Sequence, residues 1–123
     1  MADVVLWGLA VASAAATAWF SLVEPPPMAG AFHGADKVEH ALAYFATVLC
    51  TLLAGVWRPG RGLGRYPRSA VSVAVGAVVV AIGIELVQGM TATRHRDWGD
   101  VVAGATGTLT ALAVWGSLRL ASR

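Results

Sequence analysis

The sequence predicts an all-α protein: a four-helix transmembrane bundle with both termini cytoplasmic, built as one domain over residues 1–123. Three observations lead there. The 123 residues are 57% hydrophobic and only 13% charged, whereas a soluble domain carries about a quarter charged residues. The apolar residues gather into four stretches, at about 4–23, 38–57, 69–89 and 99–118, each near the roughly 20 residues a helix needs to cross about 30 Å of hydrocarbon. Short breaks containing proline, glycine and arginine separate them. Backbone groups in lipid must find their partners within the segment, which makes these spans helices.

The first span ends at Glu24-Pro25-Pro26-Pro27, because proline cannot continue a helix. Its alanine-rich end resembles a signal-peptide cleavage region. Met1-Ala2-Asp3 supplies no basic n-region, so a retained helix is expected. Gly8, Ala12 and Ala16 give this span a small-residue stripe for packing. The second span opens on Asp36 and Lys37, and Asp36, His40, Tyr44 (or Ala43), Thr47 and Thr51 follow at three- and four-residue spacing along one face. Asp36 either caps the helix, with Glu39 completing a capping box, or serves chemistry. Lys37 can reach the interface by snorkelling or contact a ligand. Arg58-Pro59-Gly60 ends the span.

Tyr66-Pro67 precedes the third span, where Ala70, Ala74, Ala77, Ala81, Glu85 and Gln88 share a face. Small residues let membrane helices approach closely, so Glu85 is expected on the packed side. An ionised glutamate there needs a cation or a proton, and Lys37, His40 and Arg94 are the candidate partners. In the fourth span Asp100, Gly104, Gly107 and Ala111 repeat the small-residue pattern. The single Cys50 excludes an intramolecular disulfide and reads as a buried thiol.

Arginines orient the chain. Arg58, Arg61, Arg65 and Arg68 crowd the second loop, and Arg119 and Arg123 lie at the C-terminus. Positive charge in short loops marks the cytoplasmic side, so that loop and both termini are expected there, in the bacterial inner (cytoplasmic) membrane. Trp7, Trp57 and Trp115 then fall near the cytoplasmic interface, and Trp19 and Trp98 near the outer one, as an aromatic belt. No basic patch interleaved with aromatics suggests a nucleic-acid partner.

With this orientation the polar groups fall at one depth. Asp36, Lys37 and His40 open the second span, Glu85 and Gln88 close the third, and Arg94, Asp97 and Asp100 lead into the fourth. Ionisable groups at membrane depth are costly and mark functional sites. These eight residues form the candidate site, near the outer face.

The segments Asp36-Lys37-Val38-Glu39-His40-Ala41-Leu42-Ala43-Tyr44-Phe45, Glu85-Leu86-Val87-Gln88, and Arg94 through Asp97 to Asp100 resemble the VanZ-like family of small bacterial membrane proteins. The likeness runs from about residue 36 to 107. Asp36, Lys37 and His40 match the family's opening motif, Glu85 and Gln88 its E-x-x-Q, Arg94, Asp97 and Asp100 its third motif, and Gly107 the glycine that follows. Gly104 departs from the pattern, since such proteins often carry asparagine there. The resemblance implies a link to the cell envelope, the family's named member being associated with low-level resistance to the glycopeptide teicoplanin.

Two functions compete. In the first, the outer polar cluster binds or acts on an envelope lipid or glycopeptide-related target. His40 with the carboxylates could move protons, and Lys37 and Arg94 could hold a phosphate or carboxylate. Catalysis is the less favoured form of this reading: no nucleophile pattern is present, and Arg94 is not followed by the Ser-Gly-His of membrane lipid phosphatases. In the second, the chain is a non-catalytic accessory or scaffold subunit, and the cluster locks helices together. Its partners would be the lipid bilayer and other membrane subunits. A metal set of Asp36 and His40 with Glu85 or Asp100 is the weakest reading, and no metal or cofactor is expected.

Overall fold

The computed structural model describes residues 2–23, 30–56, 67–92 and 95–122. It is all-helical, with α1 (Ala2–Leu22), α2 (Ala35–Val56), α3 (Pro67–Gln88) and α4 (Trp98–Ala121). Each is long and apolar enough to cross a membrane. The arginines of the second loop, Arg58, Arg61 and Arg65, lie outside the described residues, as does Arg94.

Helix ends follow local chemistry. Pro67 opens α3, where its missing N–H costs nothing. Gly34 precedes α2 with φ +83°, a conformation that suits glycine. Its carbonyl accepts from the N–H groups of Lys37 and Val38 at 3.0 and 3.2 Å. The helix therefore begins earlier than the apolar run suggests. Asp36 lies inside its first turn instead of capping it, so the capping box with Glu39 is not the start signal.

α2 and α4 share the largest interface, with α1 against α2 and α3 against α4; α3 also touches α1 and α2. α2 and α4 run parallel, with Lys37 beside Asp100, Tyr44 beside Gly104, and Val48 and Leu52 in one core with Ala111 and Trp115. Ala70 of α3 completes that core. The alanine stripe of α3 faces inward as expected, with Ala70, Ala74, Ala81, Glu85 and Gln88 buried.

Two expectations are corrected. Gly8, Ala12 and Ala16 point outward, because α1 meets the bundle through another face, where Ala10 and Ser21 are buried. Ser13 Oγ on that face is 2.8 Å from Thr47 Oγ1 of α2, a hydroxyl–hydroxyl bond across the two helices. Trp115 is a core residue, 5% exposed, and not part of an aromatic belt. Trp7, Trp19 and Trp98 are each about half exposed, and Trp57 lies outside the described residues.

Lipid tails are as apolar as leucine, so membrane helices associate through close packing and polar bonds, with little help from the hydrophobic effect. The closest approach is at Gly107, where an added Cβ would sit 2.0 Å from the Ala41 carbonyl oxygen. At Gly104 it would meet the Tyr44 ring at 3.1 Å, so the ring covers this position. Gly107→Ala is expected to push α2 and α4 apart and cost about 1–3 kcal/mol, read as a lower melting temperature in detergent. Gly76→Ala, with nothing within 4 Å of the new methyl group, should leave it unchanged. Equal melting temperatures for the two variants would contradict this packing.

Candidate functional site

Lys37 gathers the site. Its ammonium donates to Asp36 Oδ2 at 2.8 Å, to Asp100 Oδ1 at 2.5 Å and to Asp97 Oδ2. One carboxylate comes from α2, one from the residue before α4 and one from the first turn of α4. A single lysine therefore joins the starts of two helices. The Lys37 side chain remains 33% exposed, so the network opens at the end of the bundle.

His40 lies one turn deeper and is buried. Its Nδ1 is 2.8 Å from the Asp36 carbonyl oxygen, which can only accept, so Nδ1 carries the proton. Nε2 then faces Asp100 Oδ2 at 3.6 Å, as an acceptor when the ring is neutral and a second donor when it is charged.

Glu85 is 1% exposed. Its carboxylate accepts from the Asp97 backbone N–H; of the cation partners expected for it, Lys37 is bonded to the three aspartates instead and Arg94 lies outside the described residues. The reason is positional. Backbone N–H groups at a helix start have no intrahelical acceptor and carry partial positive charge, and Glu85 reaches the peptide that leads into α4. Asp97 is itself the α4 cap, its side chain accepting from Gly99 N–H at 2.8 Å. Gln88 donates through Nε2 to the carbonyl of Ser21, tying the end of α3 to the end of α1.

The excess of carboxylates has an electrostatic cause. Parallel packing puts the N-termini of α2 and α4 side by side, each worth about half a positive charge. Asp36, Asp97, Asp100 and Glu85 answer those two ends together with Lys37. The C-terminus of α3 receives the opposite treatment. The Arg96 guanidinium lies against Gly89, just past α3, where an added Cβ would be 2.7 Å from Nε. Arg96 also stands over the Trp98 ring at 5.8 Å, within cation–π range.

Oxygens of Asp36, Asp97 and Asp100 lie within 4.8 Å of one another, close enough to share a cation. The Lys37 ammonium is that cation, bonded to all three. Its donors are thus directed to carboxylates of its own chain. The arrangement supplies a charge network open to the interface, a His40 ring facing Asp100, and the buried carboxylate of Glu85.

Seven of the eight expected site residues are described, and all seven belong to this layer; Arg94 is the exception. Ser21, Arg96 and the Ser13–Thr47 bond were not anticipated. Arg96 had a readable signal, a basic residue two places before a tryptophan at a span boundary. Ser21 had none, because its contribution is a backbone carbonyl.

The fold defines a class, an all-helical protein whose four apolar helices fit a multi-pass membrane protein. No family model matches the chain, and no curated protein or solved structure does so either.

Asp97 lies outside the spans, and the Lys37 ammonium, then the Gly99 N–H, hold its carboxyl below its ordinary value of 3.8. A lowered folded-state value stabilises the fold above the unfolded-state value and loses that contribution as pH falls through the folded one. Stability is thus expected to decline on acidification below about pH 4. Asp97→Asn keeps a capping oxygen and should flatten that decline. Asp97→Ala should cost about 1 kcal/mol more than Asp97→Asn through the lost cap. Thermal melts from pH 3 to 7 read both effects, and an identical acid limb in wild type and Asp97→Asn would contradict the assignment.

Proposed function

We propose that this chain is a VanZ-like protein of the bacterial cytoplasmic membrane whose polar layer, at the outer face, binds the head group of an envelope lipid. One observation carries the reading. Of the residues of the resemblance that are described, Asp36, Lys37, His40, Glu85, Asp97 and Asp100 meet through direct contacts, and Gln88 follows Glu85 at the same end of α3; the layer is part-exposed at Lys37 and buried at Glu85. Polar groups scattered for unrelated reasons would have no cause to meet. The charge of the layer narrows the ligand. Among the described residues of the layer, the carboxylates of Asp36, Glu85, Asp97 and Asp100 outnumber the Lys37 ammonium, so hydroxyl or amine groups suit it better than a bare phosphate, because carboxylates only accept hydrogen bonds.

Orientation belongs to the same proposal. The layer lies at the end of the bundle opposite the end of α2, the start of α3 and Arg119, and the arginines that the sequence sets between α2 and α3 put it outside by the positive-inside bias. In a Cys50→Ala background, Ala92→Cys is expected to react with a membrane-impermeant maleimide on intact cells, and Ser117→Cys only after permeabilisation. The reverse pattern would overturn the orientation.

The binding test uses Glu85→Gln and His40→Ala separately. Glu85→Gln retains an oxygen for the Asp97 N–H, so the fold should persist. Glu85→Gln is expected to melt like the wild type and His40→Ala to accumulate with a lower melting temperature, yet each should lose about tenfold of any lipid enriched in native mass spectrometry, the equivalent of about 1.4 kcal/mol. Undiminished lipid, or loss of the protein itself, would leave the layer as an interhelical lock.

A second reading, an accessory subunit, is favoured by the outward stripe of Gly8, Ala12 and Ala16, with nothing within 4 Å of a Cβ at Gly8. Small residues on an open face suit a partner helix. A stoichiometric protein retained in mild detergent, and lost in Ala12→Leu, would support it.

A further inference from the structure

The lipid-facing side of the α3–α4 pair is not flat. A groove of about 400 Å³ runs between the two helices, and the exposed lining it offers is entirely apolar. This volume lies within the usual range of small-molecule sites. Of its lining residues, the buried Ala74 and Thr108 with the half-buried Ala105 form the floor, and the exposed Val75, Val79 and Leu109 stand as walls. The Thr108 hydroxyl donates to the Gly104 carbonyl at 2.9 Å and is 1% exposed, so the floor offers no free polar group. The walls project outward, with Val79 61% and Leu109 65% exposed.

Those proportions select the occupant. A partner helix packs closely where small residues stand at the surface. Here the small residues form the floor, and branched side chains stand above them on both sides. A helix about 10 Å across cannot bring its backbone down to that floor, whereas an extended hydrocarbon chain can. Water and polar ligands find no partner there. Along the helix axes the nearer end of the groove is close to the polar layer: Ala105 lies five residues beyond Asp100 and Val79 six before Glu85, about 7–9 Å at 1.5 Å per residue.

We propose that this groove holds one acyl chain of the lipid whose head group meets the polar layer. The inference rests on the head-group reading for the identity of the lipid, and on the groove alone for the chain. The occupant is an amphiphile with its polar part at the Lys37 end and one chain descending between α3 and α4.

The test is photolabelling of the full chain in phosphatidylcholine vesicles doped with a phosphatidylcholine carrying a diazirine midway along one chain. Adducts are expected to concentrate on residues 71–79 and 105–112 relative to the exposed valines of α1. Ala105→Phe raises the floor and should lower groove adducts by about tenfold while leaving those on α1 unchanged. Val79→Ala with Leu109→Ala lowers the walls at exposed positions, without touching the core, and should also abolish the enrichment. Uniform labelling over all lipid-facing residues, enrichment that survives both changes, or cross-links from the groove to a second copy of the chain would overturn the proposal. Failure of the head-group reading is distinguishable: Glu85→Gln would then leave the native lipid profile unchanged while groove adducts persist. Failure of the groove shows the converse, uniform adducts with a lipid profile still altered by Glu85→Gln.

Discussion

The Lys37 ammonium, held by Asp36, Asp97 and Asp100, is the contact on which the rest of the arrangement depends. Two membrane helices have little hydrophobic reason to prefer each other over lipid. A charge network at one end supplies a direction and a register. It brings the starts of α2 and α4, which alternation of the spans makes parallel, together at one end of their interface. From that end downward come the Tyr44 ring over Gly104, the backbone approach at Gly107, and the core of Val48, Leu52, Ala111 and Trp115. A lysine in a helix's first turn would otherwise add to the positive N-terminal dipole. Three aspartates turn that conflict into an attraction, and the second helix start contributes two of them.

The remaining helices attach to this pair by backbone-directed bonds. Glu85 of α3 accepts from the peptide that enters α4, and Gln88 donates to the last turn of α1. Both side chains reach main-chain groups that a helix terminus leaves without intrahelical partners. The polar layer thus satisfies helix ends and places a buried acid, an imidazole and a part-exposed lysine within one layer. A structural lock and a recognition site make the same demands on these residues, which is why variants that preserve hydrogen bonding are more informative than truncations.

Much of the fold was legible in the sequence. Four apolar stretches of spanning length gave four helices, and the Ala70–Ala81 spacing identified the inward face of α3. Depth along the helices was also readable, because Asp36, Glu85 and Asp100 lie at span ends that alternate in direction. Which helices are neighbours was not. Alternating spans already make α2 and α4 parallel; that they are neighbours depends on Lys37 pairing with Asp97 and Asp100, and sequence spacing cannot rank that choice against pairing with Glu85. The stripe on α1 misled because Gly8, Ala12 and Ala16 mark a surface capable of close packing without saying whether this chain supplies the partner. Trp115 misled because a tryptophan near a span end suits an interface as well as a core. Among the site residues, side chain–backbone bonds such as Gln88 to Ser21 leave no trace in residue type.

The most direct test of the account is a double-mutant cycle on Lys37→Met and Asp100→Asn, read by reversible unfolding in detergent. If the ammonium pins α2 to α4, each single change destabilises the protein, and the double variant loses less than the sum. The expected coupling is about 1–2 kcal/mol, within the range for groups in direct contact. Strictly additive losses would mean that Lys37 and Asp100 act independently, and would contradict the claim that this network sets the packing of the bundle.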